Sequence, residues 1–496
     1  MIFIYLLSGL FLGWSLGAND TGNIFGAAVE TRMLKYKTAA LIASIFIFLG
    51  AVFEGSGPSG TLGRLGSVDA LGGAFTVALA AALTITAIVR TGIPVSTSQT
   101  IVGAIIGWNY FSGRLTDFQN LLTIVSSWVI AFVLSGIIAA LLFYLISPVI
   151  NKGKIHLLEQ DVYVRLGLII IGAFGAFSLG ANNIANVVGV FVPVTPFKDI
   201  NLGSFTLSGI QQLYILGAIS IIVGIYTYSH KVMRTVGKDI FHLSPVTALI
   251  AVTAEAIVLF IFASRGLQNL LLSIGLPPIP LVPVSSTQVI VGAVVGIGLV
   301  KGGKNIRYNI LGKVSLAWIA APVIAFFFAF IALFIVQNVF EQTVCQKTIY
   351  TFNRTTISQI EKEGLDVNHL SSVNGHKFYR ELEVYKELKA EKYFMRSEIL
   401  KIIRIAEVYP LKVDTNLLRD KGLVNRFSKE QWEALVKLEG REFKHKWQLK
   451  ETLAKDPSWQ KRKEITERDK LHNQDLEEQF NLLFRTFYFL LHNESL

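Results

Sequence analysis

The chain has 496 residues, of which 52% are hydrophobic and 16% are charged, and its formal net charge is +11. The charges are unevenly distributed: 28 of the first 340 residues are Asp, Glu, Lys or Arg, about 8%, against 53 of the last 156, about 34%. Soluble globular domains carry about a quarter charged residues. The composition therefore excludes a single soluble enzyme and predicts a membrane-embedded body followed by a soluble C-terminal module.

Cysteine and charge patterns exclude further classes. Cys345 is the only cysteine, which rules out an intrachain disulfide framework and a thiolate metal cluster. In the last 156 residues positive and negative charges alternate, as they do on solvated helices, and we expect no nucleic-acid partner. No nucleophile motif or glycine-rich phosphate loop occurs, so we expect neither an enzyme nor a bound cofactor.

Ten long apolar runs follow one another in the first 340 residues, and about 20 apolar residues suffice to span a membrane. The runs lie near residues 2–18, 38–54, 70–89, 95–110, 120–150, 163–180, 209–228, 245–263, 281–300 and 309–340. The segments that connect these runs form two alternating sets, one with 14 basic residues and the other with four. The positive-inside rule then places the N-terminus outside. Ten crossings would place the C-terminal module outside as well, and one crossing more or fewer would reverse its side.

Two motifs occur twice and in the same order. Residues 15–26 read SLGANDTGNIFG and 178–189 read SLGANNIANVVG, with seven of twelve letters identical; residues 94–107 read PVSTSQTIVGAIIG and 283–296 read PVSSTQVIVGAVVG, with nine of fourteen identical. The chain is therefore a duplication, which predicts a first membrane repeat at 1–150, a second at 151–340, and a C-terminal domain at 341–496. Because five segments per repeat is an odd number, the repeats lie in opposite orientations. Inverted repeats are typical of secondary transporters, whose ligand site lies near the membrane midplane.

The first motif pair predicts a cation site. Its Asn and Gly residues are poor helix formers, so we expect the helix to break here, and membranes tolerate broken backbone only where it is buried or lines a cavity. Amide and carbonyl oxygens suit a hard cation such as Na⁺, and a carboxylate at this depth needs a partner, which makes Asp20 the best candidate for cation coupling. The alternative is that these small residues only allow close helix packing. The predicted Na⁺ site comprises Asn19, Asp20, Asn23, Asn182, Asn183 and Asn186.

The second motif pair predicts an anion site. Each copy begins with proline, which suits the first turn of a helix, and continues with three hydroxyl residues and a glutamine. A helix N-terminus attracts an anion through its free N–H groups and its partial positive charge. The alternative is ordinary Ser/Thr capping of the helix. The predicted anion-binding residues are Ser96, Thr97, Ser98, Gln99, Ser285, Ser286, Thr287 and Gln288.

Glu255 lies in the apolar stretch 251–262, and the matching run of the first repeat has no acidic residue. It is either a second cation or proton site or a protonated structural residue that is hydrogen-bonded to a neighbouring helix.

The doubled GAN and PVS motifs resemble those of the inorganic phosphate transporter family of cation–phosphate symporters, over roughly residues 1–340. The resemblance implies uptake of inorganic phosphate driven by Na⁺ or H⁺, an inverted-repeat all-α membrane fold with broken helices, and a homodimer in the plasma (inner) membrane. It also implies ion and phosphate handling by Asn19, Asp20 and the other Asn residues of the first motif pair. Phosphate binding is implied for 96–99 and 285–288.

The chain also departs from that family. Asn183 stands where the family usually has Asp, Gly22 where it usually has Ala, and Gln99 and Gln288 where many members have His. The loss of one carboxylate is expected to change the number of coupled cations or the favoured charge state of phosphate. Sulfate carriers belong to the same family, so a sulfate or other oxyanion carrier is the alternative, as is a phosphate sensor that signals through the C-terminal domain.

Residues 341–496 have the pattern of charged, amphipathic helices, which we predict at 381–390, 397–408, 429–438 and 475–491. In the last of these, Phe480, Leu483, Phe484 and Phe487 share one face. The domain is expected to be a small helical module with a regulatory or oligomerising role.

Overall fold

The computed structural model describes residues 2–66, 68–152, 156–195, 197–201, 206–235, 243–303, 308–420, 423–463 and 467–488. All ten apolar runs lie mainly in helices. The helices of the membrane body are α1 (Ile2–Glu30), α2 (Tyr36–Glu54), α3 (Ser56–Gly66), α4 (Leu71–Val89), α5 (Thr97–Ser112), α6 (Phe118–Lys152), α7 (Leu157–Val188), α8 (Gly209–Gly224), α9 (His230–Thr235), α10 (Pro245–Ile261), α11 (Arg265–Ser273), α12 (Ser286–Val300) and α13 (Tyr308–Asn338). A π-helical turn (Ile225–Ser229) joins α8 to α9, and a short hairpin of β1 (Ile200–Asn201) and β2 (Thr206–Leu207) precedes α8.

Among the described residues, six helical stretches are long and apolar enough to cross a membrane, or seven if α10 and α11, which are bent by 68°, form one span. This is fewer than the ten runs predicted. The helix α1 is long enough but carries the polar motif, while α5 and α12 have 16 and 15 residues. At 1.5 Å per residue they reach only about 24 and 22 Å, less than the ~30 Å of the hydrocarbon core.

An extended segment precedes each of these two short helices and is itself buried. Pro94 and Val95 lead into α5, and Pro283 and Val284 lead into α12. Proline has no N–H group and disfavours helical backbone in the residue before it, so helix begins only after the proline. Each of these runs therefore enters the protein as extended chain and continues as a short helix.

The two motifs at 15–26 and 178–189 do not break their helices, contrary to the sequence prediction. Both α1 and α7 continue through them. The glycines of the motifs serve close packing instead, because a methyl group on Gly17 or Gly180 would lie about 2 Å from the carbonyl oxygen of Ile221 or Ile47 in a crossing helix. The crossing helices contribute one glycine each in the same way, Gly224 against Trp14 and Gly50 against Phe177.

The two halves of the chain interlock. The helix α1 packs on α8 as α7 packs on α2, and the short helix α5 packs on α13 as α12 packs on α6. Close backbone approaches fix the second crossing as well: Gly103 lies against the Pro322 carbonyl of α13, and Gly292 against the Phe132 carbonyl of α6. The contacts thus pair equivalent elements across the duplication. Few residues of α6 and α13 are buried within the protein and many of their apolar side chains are exposed, which marks these helices as lipid-facing.

The C-terminal domain contains more than helices. Its helices are α14 (Arg354–Lys362), α15 (Glu381–Ala390), α16 (Arg396–Ala406), α17 (Thr415–Asp420), α18 (Lys429–Val436), α19 (Lys446–Leu453) and α20 (Glu467–Phe487). Short strands β3 (Ile349–Thr351), β4 (Lys377–Phe378) and β5 (Glu407–Val408) form one antiparallel sheet, and β6 (Leu411–Lys412) and β7 (Glu442–Phe443) form another. The four predicted helices are present, with 407–408 in a strand instead of a helix. The end of the last one, at 489–491, lies outside the described residues.

Two apolar cores hold this domain together, one within 350–406 and one within 411–487. The four aromatic and leucine side chains predicted on one face of α20 are all buried in the second core.

The C-terminal domain is anchored to the membrane body at the far end of α5. The indole of Trp108 donates a hydrogen bond to the carbonyl of Val344 (2.9 Å), which is buried between α4 and α5. The Leu115 N–H donates to the Glu381 carboxylate (3.0 Å). Tyr5, near the start of α1, donates to Gln342. The N-terminus and the C-terminal domain therefore lie on the same face of the body.

Candidate functional site

The centre of the site is Asp20, which is 1% exposed and lies where α1 meets α7. Its carboxylate accepts hydrogen bonds from the Asn19 amide (2.6 Å) and the Asn183 amide (2.9 Å), and Thr97 donates a longer one of 3.4 Å. Among the described residues no buried side chain is Lys or Arg. The charge of Asp20 is therefore held by neutral donors only.

The short helices α5 and α12 begin beside this carboxylate. Ser96 caps α5 by accepting the Gln99 N–H (3.2 Å), and Ser285 caps α12 by accepting the Gln288 N–H (3.2 Å). The cap residues have nearly identical backbone angles, φ −81° and ψ 110° for Ser96 and φ −84° and ψ 110° for Ser285. Ordinary capping thus accounts for one hydroxyl of each block, while the next two residues of each helix are buried at the site.

Those further hydroxyls tie the two repeats together. Ser98 donates to the carbonyl of Val284, just before α12 (3.1 Å), and Thr287 donates to the carbonyl of Val95, just before α5 (3.2 Å). The two bonds are equivalent under the duplication, because 98 corresponds to 287 and 95 to 284. The helix N-termini therefore meet directly in this conformation.

The amides of the first motif pair complete the network. Asn23 donates to Ser286 (3.2 Å) and to Thr287 (3.3 Å), and Asn186 donates to Ser98 (2.9 Å). The side-chain oxygens of Asn19 and Asn186 are buried without a hydrogen-bond partner. Such oxygens are costly to bury unless something binds them, and both suit a small hard cation.

Asn182, like its counterpart Asn19, donates to a carbonyl before a short helix, but its side-chain oxygen has a partner and that of Asn19 does not. Its oxygen accepts the Val284 N–H (2.9 Å) and its amide donates to the Val282 carbonyl (3.0 Å). It therefore fixes the extended segment before α12, and both of its polar atoms have partners.

Gln99, Gln288 and Glu255 are buried, but their side-chain oxygens take no part in this hydrogen-bond network. The side-chain oxygens of both glutamines are without partners, as are both carboxylate oxygens of Glu255, which is fully buried in α10. A structural role for Glu255 through a hydrogen bond to a neighbouring helix is not what the structure shows.

The backbone carbonyls just before α5 and α12 are the part of the site that the sequence analysis did not single out. The carbonyls of Val95 and Val284 accept bonds from the opposite repeat, and Val95 also accepts one from Asn19 (3.0 Å). The prolines at 94 and 283 were the available signal, since they require extended chain whose carbonyls are not used within a helix.

The chain was compared with known proteins and structures. The profile of the phosphate transporter family matches residues 16–274 and 279–487. A candidate phosphate permease of Methanocaldococcus jannaschii is 32% identical over 326 residues, which are 66% of this chain and 95% of the relative. Another, of Thermococcus kodakarensis, is 24% identical over 413 residues, with 66% of this chain and 96% of the relative covered.

A solved structure of a sodium-dependent phosphate transporter has the same fold. It superposes with a TM-score of 0.53 at 23% identity, and the match covers 68% of this chain and 98% of that one.

Proposed function

The chain belongs to the phosphate transporter family, and on that premise we propose that it takes up inorganic phosphate together with Na⁺. The family is one of transporters and not of enzymes. The observation that carries the proposal is the meeting of two helix N-termini, from α5 and α12, beside one buried carboxylate, Asp20.

The anion is held by neutral groups in this proposal. The first turns of α5 and α12 have N–H groups without intrahelical acceptors, and the hydroxyls of Thr97, Ser98, Ser286 and Thr287 lie next to them. Two helix N-termini that face each other supply donors and partial positive charge to an oxyanion. Phosphate would replace the Val95 and Val284 carbonyls as the partner of Thr287 and Ser98, so binding requires the two helix ends to separate.

The cation is held by oxygen atoms. Asp20, the unpaired Asn19 oxygen and the unpaired Asn186 oxygen lie in one hydrogen-bonded network, and Glu255 is a second acidic position nearby. Na⁺ is the favoured coupling ion because these ligands are hard oxygen donors and because the structural relative is a sodium-dependent transporter. The cation neutralises the carboxylate, which would otherwise repel phosphate in a medium of low dielectric constant.

Transport alternately exposes this site to the two sides of the membrane. In the present conformation Asp20 and the hydroxyl residues are buried. The contacts divide much of the body into two bundles, α4 with α5 and α13, and α6 with α10 and α12. Relative movement of these bundles would separate the Ser98–Val284 and Thr287–Val95 contacts and open the site.

We further propose that the protein lies in the plasma membrane as a homodimer, with its N-terminus and the C-terminal domain outside. The loop-charge bias supports the orientation, and the contact of Tyr5 with Gln342 places both segments on one face. Labelling intact cells with a membrane-impermeant reagent at an engineered cysteine in α15 tests it. Labelling only after permeabilisation would contradict it.

Phosphate uptake into liposomes that contain the purified protein tests the function, with a Na⁺ gradient and a pH gradient imposed separately. We expect Na⁺-dependent uptake that arsenate blocks and excess sulfate does not. Asp20→Asn should abolish the Na⁺ stimulation, while Asp117→Asn, which changes a carboxylate at the start of α6 outside the site, should retain it. Absence of phosphate uptake under both gradients would refute the proposal, and uptake suppressed by sulfate would favour the oxyanion-carrier alternative.

The attachment of the C-terminal domain to α5 favours a second function, in which this domain reports on occupancy of the site. The helix α5 begins at the site and ends in contact with the domain, near Trp108 and Gly113. Amide hydrogen exchange of 349–406 with and without phosphate distinguishes the two. A change in protection when phosphate binds would support signalling, whereas identical exchange would support transport without signalling.

A further inference from the structure

Asp20 and Asn183 occupy the same position in the two copies of the first motif, 163 residues apart. They are also in direct contact, because the Asn183 amide donates to the Asp20 carboxylate at 2.9 Å. Equivalent residues of an inverted repeat can touch only close to the axis that relates the repeats. At the centre of the site, the duplication thus has a carboxylate on one side and a neutral amide on the other.

The environment of the two residues differs accordingly. On the first side Asn19 turns its amide toward the carboxylate (2.6 Å), and its own oxygen is left without a partner. On the second side Asn182 directs both of its polar atoms to the backbone before α12. A carboxylate accepts hydrogen bonds only, so its neighbours must present donors. The different partners of Asn19 and Asn182 thus accompany the difference between Asp20 and Asn183, which is the one of the five differences between the two motif copies that changes charge.

We propose that Asn183 sets the number of cations carried with each phosphate, because its amide occupies the place beside Asp20 where a second carboxylate would require one further cation. This inference rests on the proposed function. It concerns the stoichiometry of coupling and leaves the identity of the anion unchanged.

The physical argument is one of charge balance. Two carboxylates within hydrogen-bonding distance in a buried site cannot both stay charged unless a positive charge lies between them. The amide of Asn183 takes the place of the second carboxylate and donates a hydrogen bond to the first, so no positive charge is needed between the two residues. An occluded site with one carboxylate therefore needs one cation fewer to reach neutrality with phosphate bound than a site with two.

The test is the charge moved per phosphate, measured in liposomes from parallel fluxes of labelled Na⁺ and phosphate at set membrane potentials. Asn183→Asp should increase the positive charge moved per phosphate by one elementary charge and steepen the dependence of uptake on Na⁺ concentration. The matched control is Asn338→Asp, which adds a carboxylate at the exposed end of α13, outside the site, and we expect the charge per phosphate of the unmodified protein.

The outcomes separate this inference from the function on which it rests. If the unmodified protein takes up no phosphate, the proposed function fails first. If Asn183→Asp transports phosphate with unchanged charge, or if Asn338→Asp raises the charge per phosphate by the same amount, the inference is overturned while the function stands. Should Asn183→Asp not transport, the Na⁺ dependence of its melting temperature decides: a steeper dependence than in the unmodified protein shows the further bound cation, and an equal one contradicts it.

Discussion

Gly17 makes a close backbone contact between α1 and α8, from which the effect of one added methyl group on the stability of the protein can be predicted. A methyl group on Gly17 would lie 2.0 Å from the carbonyl oxygen of Ile221 in α8, whereas ordinary contact begins at 3.4 Å. Gly17→Ala therefore forces the two helices apart by about 1.4 Å, the difference between these distances. Overpacking of this kind costs about 1–3 kcal/mol. We expect the upper end, because a backbone atom cannot rotate away, offset by about 1 kcal/mol from replacing glycine within a helix.

Gly22, five residues further along α1, provides the control. A methyl group there would lie 3.4 Å from the side chain of Val232, which is ordinary contact. Gly22→Ala should therefore stabilise the protein by about 0.5–1 kcal/mol through helix propensity alone. Tryptophan fluorescence during thermal unfolding in detergent measures both variants. Phosphate uptake should fall in Gly17→Ala only, since the displacement moves the adjacent Asp20. Equal melting temperatures would refute the packing argument.

Three further predictions concern the anion site and the C-terminal domain. Ser98→Ala combined with Thr287→Val removes one hydroxyl from each helix end and should raise the phosphate concentration for half-maximal uptake by about tenfold or more per hydroxyl; an unchanged value would reduce both hydroxyls to structural roles. Trp108→Phe removes the hydrogen bond to Val344, so limited proteolysis should cut the chain near 341–348 faster than in the unmodified protein, and equal rates would contradict the anchoring role. Burial lowers the pKa of His445 below its usual 6.5, so the folded state disfavours protonation of this side chain. The contribution of neutral His445 to the free energy of unfolding is therefore complete above pH 6.5 and declines as the pH falls, by at most about 1.4 kcal/mol per pH unit. Melting curves between pH 5.5 and 7.5 should show this slope in the unmodified protein, and a smaller one in His445→Gln.

The membrane body was predictable from the sequence to a considerable extent, because its signals are repeated. Each apolar run became mainly helix, and the two motif pairs meet in one network although up to 264 positions separate bonded residues such as Asn23 and Thr287. Duplication made this inference strong. A motif that occurs once has many explanations, whereas two copies in the same order point to one arrangement about a shared axis.

The details that the sequence did not indicate depend on contacts between distant segments. Helix propensity predicted a break within 15–26, but Gly17 packs against the backbone of a crossing helix that no local pattern reveals, and tertiary packing overrode propensity. The strands of the C-terminal domain have two or three residues, too few to show the alternation that marks a strand. Asn19 and Asn182 have different partners because the carboxylate of Asp20 needs donors around it. A comparison of the two motif sequences shows Asp20 only as a substitution at one of twelve positions.

Under the proposed function, the neutral character of the site accounts for the requirement for a coupled cation. Asp20 is buried with amide and hydroxyl donors and without a buried Lys or Arg among the described residues, so its charge is stabilised but not cancelled. Two negative charges 4 Å apart repel each other by about 4 kcal/mol at an effective dielectric constant of 20, which corresponds to roughly a thousandfold loss of phosphate affinity. A cation bound at Asp20 removes that penalty, and reciprocally phosphate strengthens the binding of the cation by the same factor. Coupling then follows from the placement of one carboxylate beside two helix N-termini. A basic side chain in the place of Asn183 would bind phosphate without any cation and would abolish the coupling.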